Sequence, residues 1–211
     1  MYKPNLFKYY LREGLLFLCG LLIVGSSLAV SNGRIFAISQ GQRKSLSKGI
    51  VLRKIEQDPV RIRNIKVGAT DRRFDEEFDD SDDWLRKLSL EIENDWNKPI
   101  VYLLVSLDFP ESKLSGNEMR FYVYLGNEPG SPPNRENIYI APSEKLVINM
   151  AERYEWLSQF LQPRHSMGQI NKVEIQVARA VFEDKTAWGG GEFFVQDPSK
   201  PGRYIPVRMQ P

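Results

Sequence analysis

Val173-Glu174-Ile175-Gln176-Val177-Ala178-Arg179-Ala180-Val181-Phe182 is the cleanest alternation of apolar and polar side chains in the chain. Successive side chains of an extended backbone point to opposite faces, so a period of two predicts a half-buried strand. The polar group Glu183-Asp184-Lys185-Thr186 then turns this run into a second one, Trp188 to Val195. Other segments repeat the pattern. Leu88-Ser89-Leu90-Glu91-Ile92-Glu93 alternates, Asn94 to Pro99 is turn chemistry, and Ile100 to Phe109 is a long β-branched and aromatic run closed by Pro110. Two such runs across a short Asn/Asp/Pro turn read as a hairpin. Arg61 to Val67 alternates over most of its length, Met119 to Leu125 sets Met, Phe, Val and Leu against Arg, Tyr and Tyr, and Ile138–Ile140 and Lys145–Ile148 flank the turn Ala141-Pro142-Ser143-Glu144. Many short strands separated by turn signals predict an all-β sandwich or barrel.

One helix interrupts the strands. Met150, Tyr154, Leu157 and Leu161 fall at spacings of four, three and four, which is one helical face. Asn149 is placed to cap it, Glu152 stands where a capping box needs an acid, and Pro163 follows the last turn. This helix is expected to lid one end of the sandwich.

The N-terminus reads differently. Residues 1–13 hold Lys3, Lys8, Arg12 and Glu13, and Gly14 to Val30 follow without a charge, ending near Ser27-Leu28-Ala29. A basic start, an apolar stretch and a small-x-small site make residues 1–29 a signal peptide, with cleavage after Ala29, or an uncleaved apolar helix anchoring the chain through residues 14–30. Either way the positive-inside rule sends the body outward, so the expected localisation is extracytoplasmic: secreted, periplasmic or N-terminally anchored with the C-terminal domain outside. Cys19 lies mid-stretch after the large Leu18, which argues against lipidation. Residues 30–59 read as a flexible linker, richest in Ser, Gly, Gln and Lys over 31–49, and residues 60–211 as the folded body.

Charge narrows the partners. The net +2 of the chain sits in residues 1–29, which leaves 26 basic and 26 acidic residues beyond them. A balanced body argues against nucleic acid. Within it, residues 33–67 hold nine cations and two acids, and residues 68–95 hold eleven acids and four cations. Three readings of these blocks remain: they pair with each other, the basic one lies on anionic lipid or cell wall, or both are simply solvated.

The segment Asn94-Asp95-Trp96-Asn97-Lys98-Pro99-Ile100 between two strands resembles the early strands of bacterial immunoglobulin-like domains, where a polar turn introduces the next core strand. Ile140 to Ile148 is similar to the Pro-Gly-Glu turn of those domains, with Ser143 where glycine is usual. Val181 to Phe193, with the tail Asp197 to Tyr204, resembles the last hairpin of exported, uncharacterised proteins of that type. The resemblance spans residues 60–206. It implies an immunoglobulin-like antiparallel β-sandwich acting as an adhesion-like or structural module, and brings no catalytic residue.

No assembled chemistry is visible. The one histidine, His165, sits in a loop after the helix without a nucleophile elbow, and zinc has no Cys/His cluster. No phosphate loop exists, and Gly189-Gly190-Gly191 reads as a bulge or close backbone approach between strands. Seven carboxylates lie between Asp75 and Asp83. They lack the spacing of a calcium loop, and a solvated run is the simpler reading, but Asp79, Asp80, Asp82 and Asp83 are the metal candidates. Of the four tryptophans, Trp84, Trp96 and Trp188 read as core, and Trp156 lies off the main helical face as the candidate partner contact. The expectation is a non-catalytic extracytoplasmic interaction or structural module without a cofactor. Its partner would be an envelope or extracellular protein or a glycan. A carbohydrate-binding or calcium-dependent accessory domain is the alternative.

Overall fold

The computed structural model describes residues 47–55, 57–114, 117–163 and 167–207. The leader, Cys19 and His165 lie outside them. The described chain is mostly β, arranged as two sheets with one short helix.

The smaller sheet is fully antiparallel. It runs β3 (Thr70–Arg72), β2 (Val60–Val67), β5 (Leu88–Asn94), β8 (Lys145–Asn149). Along β2 the pairing with β5 shifts between Ile62 and Asn64, which leaves Arg63 as an extra residue. That bulge explains the break in the Arg61–Val67 alternation: it brings both Ile62 and Ile65 onto the buried face.

The larger sheet is built around β9 (Lys172–Phe182). One edge of β9 carries β6 (Ile100–Leu114) and then β7 (Asn117–Gly126). Its other edge is shared. The start pairs in parallel with β1 (Lys48–Leu52), which holds β4 (Glu77–Phe78); the end pairs with β10 (Thr186–Gly189), followed by β11 (Glu192–Gln196) and β12 (Tyr204–Pro206). Leu90, Ile92 and Ile148 from the smaller sheet belong to the same buried cluster as Leu103, Val105, Leu107, Ile175 and Val177 from the larger. Two sheets thus enclose one apolar interior, in the manner of a β-sandwich.

Four details depart from the sequence expectations. The runs 88–93 and 100–109 do not form a hairpin, because β5 and β6 belong to different sheets. The cause is Asn94, which is buried and donates from Nδ2 to the carbonyls of Lys98 and Ile140, both at 2.9 Å, while its Oδ1 accepts from the Trp96 amide at 3.1 Å. The side chain thus ties the end of β5 to the turn that leads into β6 and to Ile140, where the chain passes from one layer into the other. Residues 48–52, inside the expected linker, form β1; their partner lies over a hundred residues away and leaves no local signal. Pro110 does not end its strand, since β6 continues to Leu114 with a shift of pairing between Phe109 and Lys113. The run Trp188–Val195 splits into β10 and β11. Gly190 and Gly191, at φ of 62° and 88°, form the two-residue turn between Gly189 and Glu192. Of the expected bulge or close backbone approach, the approach is found at Gly189, where a Cβ would lie 3.2 Å from the Ala178 carbonyl oxygen.

The expected helix is present in part. Met150–Arg153 is a 3-10 turn, and α1 runs from Tyr154 to Leu161 with Leu157 and Leu161 buried. Asn149 caps the first turn by accepting from the Ala151 amide at 3.0 Å, but the Glu152 carboxylate turns to Arg153 instead of completing a capping box.

Replacing Asn94 by alanine takes the hydrogen-bond partner from the Lys98 carbonyl and the Trp96 amide, while the Ile140 carbonyl keeps the Ile100 amide at 3.0 Å. The expected cost is about 3 kcal/mol in a urea unfolding curve. A loss within about 0.5 kcal/mol, the range of an ordinary surface substitution, would show that the crossover does not depend on this side chain.

Candidate functional site: a groove beside an edge strand

A concavity of about 540 Å³ lies along β7. Phe121, Tyr122, Val123, Tyr124, Leu125 and Gly126 line it in unbroken succession. Opposite stand Arg135, Glu136 and Ile138 from the loop after β7, with Glu152, Arg153 and Trp156 from the helical segment. The local sequence explains the arrangement. Alternation along β7 turns Met119, Val123 and Leu125 inward and leaves Tyr122 and Tyr124 exposed. At Gly126, with φ of 76°, a side chain would collide with the Val101 carbonyl and with Ile138, so glycine ends the strand there. The helix is held against the strand by its buried Leu157 and Leu161 and by the Phe121–Phe160 ring contact at 5.7 Å.

Trp156 is 71% exposed. The helical face singled it out, and the structure puts it in the groove wall. Trp84 and Trp188 are fully buried, and Trp96 stacks on Phe193 with centroids 5.0 Å apart. What the sequence did not reveal is the company Trp156 keeps. Tyr122, Tyr124, Arg135 and Ile138 come from a strand and a loop, and only the fold brings them beside the helix. The one available signal was the Arg/Tyr/Tyr face of the 119–125 alternation.

The charges in the wall balance. Arg135 lies over the Tyr124 ring, its guanidinium carbon 4.5 Å from the centroid, and Arg153 pairs with Glu152 at 3.3 Å. At the other end of β7, Arg120 grips the buried Asp108 of β6 through two hydrogen bonds of 2.6 and 2.7 Å, joined by Arg53 at 3.3 Å. The Asp108 hydrogen bond raises the Arg120 pKa, so the guanidinium of this clamp between the two strands stays charged throughout the working range of pH.

The acidic run contributes no comparable site. Asp80 pairs with Lys87 at 3.0 Å and Arg72 at 4.0 Å, Asp83 accepts from the Ser81 hydroxyl at 2.6 Å, and Asp82 lies 4.0 Å from the buried Lys48. Burial, opposed by the hydrogen bonds and charge of Lys87 and Ser81, leaves the Asp80 pKa lowered. No group of three or more His, Cys, Asp or Glu side chains able to hold a metal occurs among the described residues, and Asp79, Asp80, Asp82 and Asp83 are not gathered into one. The basic and acidic blocks do meet: Arg61 and Arg63 pair with Asp95, Arg63 with Glu93, Lys66 with Asp71, and Lys48 with Asp82.

No family model matches the chain, and no curated protein or solved structure matches it.

One carboxyl is strongly perturbed. Burial pushes Asp58, between β1 and β2, from 3.8 up to about 7, against a hydrogen bond from the Val60 amide. A raised carboxyl pKa means the folded state holds this proton more tightly than the unfolded chain. Its contribution to stability is full below pH 3.8 and is lost as pH rises through about 7. Asp58→Asn keeps an acceptor for Val60 without the charge. At pH 8 it should melt several degrees above the parent protein, with the difference gone at pH 4. Parallel melting curves at the two pH values would disprove the assignment.

Proposed function

We propose that the protein is a non-catalytic extracytoplasmic interaction module that engages a partner protein through the β7 groove. The observation that carries this reading is the 71% exposure of Trp156 in the wall of a groove that also exposes Tyr122 and Tyr124. Exposed, clustered aromatics are characteristic of recognition surfaces, where Trp and Tyr act as anchors. An immunoglobulin-like topology agrees with the strand order: β2, β5 and β8 are neighbours in one sheet, and β7, β6, β9 and β10 in the other. Export rests on the basic start and apolar stretch of residues 1–30. The same aromatics suit a glycan, which is the second reading.

A photoreactive amino acid placed at position 156, and separately at the exposed Val147 on β8, separates the two. The expected result is a protein adduct formed from 156, lost on Tyr124→Ala, and absent from 147. A glycan-array signal abolished by Trp156→Ala, with no protein adduct at 156, would replace the protein partner with a sugar.

A further inference from the structure

We infer that the groove receives an extended peptide segment of a partner protein, which adds as a strand to the open edge of β7 along Phe121–Gly126. This deepens the interaction reading above and rests on it.

Three observations converge. The first is the open edge. β7 pairs with β6 on one side, and among the described residues no strand pairs with the other. Its unpaired backbone groups are a template for a further strand. The second is the shape. Six consecutive residues of one strand line the groove, so it runs along β7 and not across it. Six residues span about 20 Å at about 3.3 Å each, the footprint of an extended peptide.

The third is how the edges are protected. Exposed edges are normally blunted by lysine, proline, charge or extreme shortness. β12 carries Pro206, β4 has two residues, β3 is Thr-Asp-Arg, and β8 opens on Lys145. Phe121-Tyr122-Val123-Tyr124-Leu125-Gly126 has none of these devices, and Phe121 to Tyr124 are strong strand formers.

The groove also selects its guest. Two cations and two anions in the wall, Arg135, Arg153, Glu136 and Glu152, leave it neutral, which disfavours a highly charged segment. Ile138 and Trp156 offer apolar contacts. The fitting guest is therefore a neutral strand with an aliphatic or aromatic side chain at alternate positions, its backbone supplying affinity and those side chains specificity. A second copy of this chain fits less well, because a symmetric pairing of two β7 edges would bring two sets of Ile138 and Trp156 walls to the same junction.

The test uses a displayed library of random peptides of about twelve residues, enough for six paired positions with flanks. The strongest binder is then synthesised. The expected results are at least about tenfold weaker binding to Trp156→Ala, slowed exchange of alternate amides within Phe121–Leu125 on binding, and at least about tenfold loss when alternate peptide amides are N-methylated, with little loss at the intervening ones. A peptide that binds in a Trp156-dependent way without slowing the β7 amides, or regardless of N-methylation, would overturn strand addition and leave the interaction reading standing. Failure to recover any Trp156-dependent peptide would also overturn it, and the photoadduct at 156 then decides separately whether the groove binds protein at all. Slowed β7 amides that depend on protein concentration alone would assign the edge to a second copy instead.

Discussion

A single buried amide at the end of β5 sets the separation of the two sheets. Asn94 offers both hydrogens and its oxygen to three backbone groups, and its own amide and carbonyl pair with Glu144 and Ser143. Where water is largely excluded such bonds are not readily replaced, so the side chain ties these groups together. Two stretches distant in sequence are thereby held at one corner: the turn 95–99, and residues 140–144, of which Ile140 bridges to Ile100. The consequence reaches the groove. With β5 and β6 in different layers, β7 becomes the outer strand of the larger sheet, and the long return from β7 to β8 forms the opposing wall.

The turn at that corner also shows how backbone geometry overrides a sequence pattern. Ser143 adopts φ of 62°, the left-handed conformation that glycine would take without strain. Proline before it, the Glu144 amide returning to the Ala141 carbonyl at 3.0 Å, and the Glu144 carboxylate on the Ala141 amide at 2.7 Å hold the turn. The neighbouring hydrogen bonds impose the conformation that the residue type disfavours.

What was legible in the sequence was what period and spacing encode. The strand stretches other than Ile138–Ile140, which makes only a bridge at Ile140, and the face of the helix with the exposed Trp156 follow from local repetition, because burial on one face leaves a mark every two or three to four residues. The burial of Trp84 and Trp188 follows from the usual place of aromatics in cores. Pairing partners leave no such mark. Nothing in Leu88–Glu93 says that its neighbours are β2 and β8 and not β6. The same limit hid the groove, whose residues come from three elements, and the ion pairs that join the basic and acidic blocks. Asp108 was hidden for a further reason: a lone acid in an apolar run looks like an interruption until Arg120, twelve residues later, is seen to face it across the hairpin.

The parallel pairing of β1 with β9 governs the order in which the molecule can be completed. Lys48 finds Asn171, 123 residues further on, and Gly49 reaches the Asn171 carbonyl at 2.8 Å. A chain made from its N-terminus therefore carries β1 unpaired on this side until almost all the rest has been synthesised. Contacts this distant close slowly, since the entropy of the intervening loop is lost before the bonds form. The hairpin of β6 and β7, joined by a short connection and clamped by Arg120 on Asp108, needs no such wait. The pairing of β1, the first strand among the described residues, with β9 is thus expected to close after the β6–β7 hairpin.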